Sequence, residues 1–310
     1  MPEFVSSRFS SQKAPKYKNL SDYGHDKGQN RYEKKKYKEN KLAITTQKKE
    51  KQIQEEEYLM KKSIIYIVRR IPDEEALKNQ LFYVCHINYF AQVSEDNFLP
   101  AEIAIAEFNL GEGLCATLQF FVNPGEIPLG MKYEVLDWAY KSHGIPVNVV
   151  ESAEDDYPTI LRELKRFLRR KNPKRTPPIY SMPDDANCNH CISAVRGTLS
   201  RFAKASNEDC NIRVFPLPML FYELKSKCME LSGKTDPRVT PQYANNELVK
   251  DVYSHCRKIG CDFHEEKDLS QHCSLSTVKR WVFTISMSCA PDIGVVPNHR
   301  RHCPDKSENF

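Results

Sequence analysis

Three stretches rich in aromatic and β-branched residues follow one another between Leu81 and Val122, and this run limits the fold more than any other feature. Leu81 to Phe90 reads as a first strand, Ala101 to Phe108 as a second and Leu114 to Val122 as a third. Asn109-Leu110-Gly111-Glu112-Gly113 is turn material between the last two, and Asn123-Pro124-Gly125 closes the third. Strands joined this closely pair antiparallel, so a meander is expected. Helical patterns then take over, at 133–142 and at 157–171, where Ile160, Leu161, Leu164, Phe167 and Leu168 share one face. Short strands at 178–181 and 212–215 alternate with helical runs at 192–205, 218–231, 246–259 and 276–287. Residues 236–243, with Pro237 and Pro241, read as loop. A meander followed by alternating helices and strands is an α/β pattern, and a ribonuclease-H-like mixed sheet flanked by helices has this order.

The charge is unevenly distributed. Residues 1–62 hold 16 Lys or Arg and 9 Asp or Glu, a net of +7 in a chain whose total is +5. Residues 1–45 are polar, lack apolar periodicity and read as a basic disordered arm. Residues 46–74 read as a charged helical linker, ended at Ile71-Pro72 because the residue before a proline is pushed out of the helical region. Residues 75–303 form the body and 304–310 a tail. A basic arm on a near-neutral body suits a polyanion such as nucleic acid, or simply a solvated segment. No apolar run is long enough to span a membrane, and no secretory signal is visible.

Eleven cysteines without such a signal favour metal ligation or buried thiols over disulfides. Cys261, His264 and Cys273 place three zinc-type donors within thirteen residues, in the order Cys-x2-His-x8-Cys. A structural zinc takes four ligands, so one more must come from elsewhere in the chain. The bland reading makes Cys261 and Cys273 buried thiols and His264 a surface group. Cys188-Asn189-His190-Cys191 is a second Cys-x-x-Cys, but it has no second pair nearby and sits at a helix start. Cys85, Cys115, Cys210, Cys228, Cys256 and Cys289 lie mostly in apolar or helical context and read as packing residues. Cys303 stays unassigned.

Five motifs occur in one order: Leu99-Pro100-Ala101-Glu102-Ile103, Phe121-Val122-Asn123-Pro124-Gly125, Pro128-Leu129-Gly130, Ser142-His143-Gly144-Ile145-Pro146, and the Cys261/His264/Cys273 block leading into Arg280-Trp281. Together they resemble the Maelstrom family over residues 75–303. The resemblance implies a ribonuclease-H-like fold related to proofreading exonucleases, with a Glu-Cys-His-Cys zinc site. Carried over residue by residue, that site is Glu102, Cys261, His264 and Cys273. It also implies transposon silencing in the germline through Piwi-associated RNAs, with pathway proteins and single-stranded RNA as partners. The expected localisation is nucleus and cytoplasm, in perinuclear germ granules. The family's usual N-terminal HMG box has no counterpart here: no Trp precedes Trp138, and only Lys13-Ala14-Pro15-Lys16-Tyr17 and Arg31-Tyr32 could be its end. DNA binding through such a box is therefore in question, and the box was lost or lies outside this chain.

Four protein ligands leave no open position for an activated water, so the zinc is expected to be a structural staple between an early strand and a late helix. Two-metal exonucleases of this fold need an Asp-x-Glu pair on the first strand, where this chain has Cys85, His86 and Asn88. The late His with an acid five residues on is also missing. The ordinary two-metal mechanism is expected to be absent, and any RNA cleavage would need other residues, here unknown. The basic segment Arg162, Lys165, Arg166, Arg169, Arg170, Lys171, Lys174 and Arg175 is either a solvated helix face or a phosphate-binding surface for single-stranded RNA. Besides a zinc-stapled silencing factor, two readings stay open: a single-strand RNA endonuclease with non-standard residues, and a protein-interaction scaffold that keeps only the fold.

Overall fold

The meander forms as its composition requires. In the computed structural model, which describes residues 20–147, 153–185 and 191–305, β1 (Phe82–Ser94), β2 (Asn97–Asn109) and β3 (Gly113–Phe121) pair antiparallel. Two short strands, β4 (Ile179–Ser181) and β5 (Val214–Pro216), add parallel on the other side of β1. The result is a five-stranded mixed sheet in the order β3-β2-β1-β4-β5. Pro100 is tolerated inside β2 because it lies at a register shift opposite Tyr89, where the ladder is interrupted.

The period-2 alternation of the strands sorts side chains onto two buried faces. On one, Phe82, Val84, Ala104, Ala106 and Phe108 join a core with Leu217, Leu220, Leu224, Val278, Val282 and Ile285. These partners come from α6 (Leu217–Leu231) and α9 (Ser274–Cys289), with Leu248 from α7 (Pro241–Lys250) and Ile64 and Val68 from the end of α1 (Leu20–Arg69). On the other, Tyr83, Cys85, Ile87, Ile103 and Ile105 pack against Ile160, Leu161, Leu164 and Leu168 of α4 (Tyr157–Arg169) and against Val195, Leu199 and Phe202 of α5 (Cys191–Ala205). A smaller cluster, including Phe90, Leu99 and Val135, seats α3 (Lys132–Lys141) at the end of β1. Two short helices complete the set: α2 (Glu74–Asn79), capped by Asp73, and α8 (Asp262–Glu266).

Several elements differ from the sequence expectation. Helix α1 begins at Leu20, well before residue 46, because the Lys- and Glu-rich stretch is a good helix former although it has no apolar face. Helix α7 begins at Pro241, inside the expected loop, and ends at Lys250 instead of 259. Thr240 caps it through Tyr243 N–H, and Asp251 adopts a left-handed conformation (φ 41°) that stops it. Cys210 is exposed, so it is not the packing residue expected. The first cysteine of the Cys188/Cys191 pair and the Lys13–Tyr17 motif lie outside the described residues. The chain forms two compact units, Met1–Tyr58 and Leu59–Phe310, and all packing given above belongs to the second. No helix among the described residues is long and apolar enough to cross a membrane.

Candidate functional site

Glu102 lies on the same face of β2 as Ala104 and Ala106, the face that α9 covers. The small alanines let α9 approach, and its N-terminus ends over the carboxylate. Ser274 N–H, in the first turn of α9, donates to Glu102 Oε2 at 2.8 Å, as suits an anion at a helix N-terminus. Asn88 of β1 donates to the same oxygen at 2.9 Å, and Gln119 of β3 donates to Oε1 at 2.7 Å. Asn88 also donates to His272 O at 2.7 Å, which holds the approach to α9 against the sheet.

The residue that precedes α9 is Cys273, fully buried, with its Sγ 3.4 Å from Glu102 Oε1. Cys261 N–H donates to Cys273 Sγ at 3.4 Å, so the start of α8 comes to the same point. One turn into α8, His264 places Nδ1 3.1 Å from Cys261 Sγ. Its Nε2 lies 3.0 Å from His143 O, so Nε2 is a protonated nitrogen and Nδ1 faces the cluster. Gly144 makes that approach feasible: at φ +67° and with no side chain, it lies where a Cβ would meet Leu269 Cδ1 at 2.5 Å.

The structure thus brings Glu102, Cys261, His264 and Cys273 together, one donor atom from each lying within 4.8 Å of the others. A tetrahedral ion with bonds of about 2.0–2.3 Å would space its donors about 3.3–3.8 Å apart. The Cys261–His264 pair at 3.1 Å and the Cys273–Glu102 pair at 3.4 Å lie close to that spacing, and with all four donors within 4.8 Å the S2NO group could hold a metal.

The protonation states point the same way. A hydrogen bond from the Cys273 thiol, aided by His264, holds Cys261 down at about 4, while the same contact and burial push Cys273 up. Burial alone would depress His264, but its bond to Cys261 and the Glu102 charge outweigh this and raise it. Burial raises Glu102 against the opposing pull of His264 and Ser274. The residues alone share protons among four close donors, and a cation would replace those protons.

The eight basic residues do not form one patch. Arg162, Lys165, Arg166 and Arg169 line an open groove of about 560 Å³ with Ser206 and Glu208. Lys165 pairs with Glu208, Arg166 with Glu163, and Arg169 Nε donates to Thr176 at 2.7 Å. Arg170 instead grips Glu107 of β2 with both Nη2, at 2.5 Å, and Nε, at 3.2 Å, and Glu107 is only 1% exposed. Lys171 and Arg175 line a different cleft, and Lys174 is exposed. Among side chains not singled out from the sequence, Arg280 is the principal addition. It is buried beside Asp251 at 2.9 Å and donates to Ser270 O and Gln271 O, tying down the loop before Cys273. The Arg280-Trp281 motif was its only signal.

A sequence model of the Maelstrom family, described as a piRNA pathway germ-plasm component, matches residues 91–309. This chain belongs to the Maelstrom family. A protein maelstrom homolog of Culex quinquefasciatus is 31% identical over 260 residues, covering 83% of this chain and 49% of that relative. Protein maelstrom 2 of Drosophila persimilis is 27% identical over 255 residues, covering 81% and 58%. The chain therefore spans about half the length of these Maelstrom relatives. The Maelstrom match contains all four residues of the buried cluster and the whole basic segment.

Proposed function

We propose that this chain acts in piRNA-mediated transposon silencing in the germline, as a zinc-stapled ribonuclease-H-like domain that binds single-stranded RNA and pathway proteins. The working domain is residues 75–303, preceded by a helical linker at 46–74 and a basic arm at 1–45. The place of action is the nucleus and perinuclear granules. The family match supports the pathway. The strand order β3-β2-β1-β4-β5, with an antiparallel meander and two parallel additions, supports the ribonuclease-H-like reading.

The observation that carries the mechanism is the convergence of Glu102 with Cys261, His264 and Cys273 from three separate segments. Zinc suits two sulfurs, an imidazole and a carboxylate better than a hard cation does. With four protein ligands the ion has a structural role. On β1 the inward groups His86 and Asn88 are engaged with Ser274 and Glu102, and neither is an acid that could hold catalytic Mg²⁺. RNA is then held through its phosphates by the groove of Arg162, Lys165, Arg166 and Arg169, with little sequence reading.

Metal analysis of purified protein tests the staple, where less than half an equivalent of zinc would sink it. Filter binding of single-stranded RNA at two salt concentrations tests the groove, where affinity must fall as salt rises. A second reading, RNA cleavage by non-standard residues, draws on a cleft of about 240 Å³ that includes His86, His143, His272 and Trp138. Cleavage of labelled RNA that persists in EDTA would favour it.

A further inference from the structure

A cleft of about 560 Å³ opens between the end of α1, α2 and the segment that follows α4. This volume lies in the range of small-ligand sites. Its rim carries Arg70, Lys171 and Arg175, all exposed, and no Asp or Glu is among its lining residues. Arg70 is held in place: Nη1 donates to the Tyr66 hydroxyl at 2.7 Å, and its guanidinium lies 5.1 Å from the Tyr66 ring centre. The walls mix apolar and polar side chains, with Tyr66, Pro177 and Pro178 beside Asn79, Gln80 and Asn172. Tyr180, 1% exposed, also lines the cleft, and its hydroxyl has no hydrogen-bond partner.

We infer that this cleft binds one nucleotide unit, its phosphate held by Arg70, Lys171 and Arg175 and its base laid on the Tyr66 and proline wall. Three cations on a cleft with no acid in its lining favour an anion, and guanidinium groups suit phosphate in particular. The exposed Tyr66 ring offers a face to a planar group beside it. The unit could be a free nucleotide or one residue of an RNA strand. The second source rests on the RNA-binding reading proposed above, and the first does not.

The test uses the full chain. Binding of uridine monophosphate, tested at millimolar concentration, is followed by calorimetry, and binding of a short labelled oligouridine by fluorescence polarisation. The triple change Arg70→Gln, Lys171→Gln and Arg175→Gln leaves buried contacts untouched, and circular dichroism verifies its fold. A control removes three charges outside the cleft, with Lys132→Gln, Lys234→Gln and Lys250→Gln. The expected result is a roughly tenfold or greater loss of affinity in the cleft variant, on the scale of lost charge-assisted hydrogen bonds, with the control within about twofold of wild type. Tyr66→Ala should weaken binding as well.

If the oligomer binds and both triple variants bind equally well, the RNA reading stands and the cleft assignment is overturned. If the oligomer does not bind but the mononucleotide does, and only the cleft variant loses it, the RNA reading fails and the cleft remains a free-nucleotide site. No binding of either ligand overturns both. Preference for a phosphotyrosine peptide over the nucleotide overturns the ligand class.

Discussion

The clasp between Arg170 and Glu107 offers the most direct test of how this chain uses its basic residues. Glu107 is 1% exposed and Arg170 35%, and the two make a bidentate pair. The Tyr83 hydroxyl donates a third bond to Glu107 at 2.8 Å, and Arg170 lies 4.8 Å over the Phe167 ring. The pair therefore joins the end of α4 to the middle of the sheet. Arg170→Ala would leave a buried carboxylate with the tyrosine as its one remaining partner in that group. Breaking a fully buried pair costs about 3–5 kcal/mol. Water can reach the vacated guanidinium site, so about 2–3 kcal/mol is expected here. In a domain of this size that is a fall in Tm of about 5–10 °C. Glu107→Gln removes the charge, so Arg170→Ala made in that background should cost only about 1 kcal/mol. Calorimetry of the four proteins of this double-mutant cycle reads the coupling. A Tm for Arg170→Ala within about 2 °C of wild type would refute the clasp. Loss of RNA binding at unchanged Tm would make Arg170 a contact residue instead.

Three further outcomes follow. A strong zinc chelator should lower Tm and raise hydrogen exchange in residues 251–273, and unchanged melting would remove the staple. Gly113→Ala should be severely destabilising, because at φ +75° its Cβ would meet Arg301 O at 2.4 Å. Gly144→Ala should cost less, about 1–2 kcal/mol, because Leu269 Cδ1 is the end of a movable side chain, and denaturant midpoints give the order. Burial holds both His86 and His143 down at about 3. Each is neutral when folded and protonated when unfolded below about 6.5, so stability is full above that value and falls as pH drops from 6.5 toward 3. The loss by pH 5 is at most about 2 kcal/mol per histidine, and His86→Asn should flatten the profile of denaturation midpoints against pH.

The meander was legible because its strands alternate strongly and its turns are short, so local rules decided it. The three donors of residues 261–273 were legible for the same reason: they are close in sequence. Glu102 was not accessible from spacing, since 159 residues separate it from Cys261, and only the motif resemblance pointed to it. The Arg170–Glu107 pair was illegible on the same ground: a cation on a helix face looks alike whether its partner is solvent or a distant buried acid. The end of α7 was missed because Asp251 turns left-handed without Gly or Pro to announce it, although Thr240-Pro241 did carry a legible cap at its start. The eight cations read as one cluster because sequence gives proximity and not direction. The turn after α4 sends Lys171 and Arg175 to a different face from Arg162 and Arg166.

The segment between α7 and α9 shows why a metal-type cluster belongs where it is. From Asp251 to Cys273 the only buried side chains are Cys256, Ile259, His264 and Cys273, and the only α-helix is five residues long. Cys256 and Ile259 reach Phe283, Leu114 and Tyr253 in a satellite cluster, and Phe263 packs on Phe121, a small apolar area against the entropy of ordering more than twenty residues. Two polar fasteners act in place of a core. Arg280 holds the Ser270 and Gln271 carbonyls from above, and the Glu102 group gathers Cys261, His264 and Cys273 from below. Each fastener includes a buried charge that is costly without its partners, so the segment is held all together or not at all. Because Glu102 is anchored by Asn88, Gln119 and the first turn of α9, the sheet does not depend on the segment, but the segment depends on the sheet. If the cluster holds the proposed ion, its removal should therefore melt residues 251–273 locally and leave β1–β3 paired. That ordering separates a staple from a catalytic metal, whose removal would leave the loop in place.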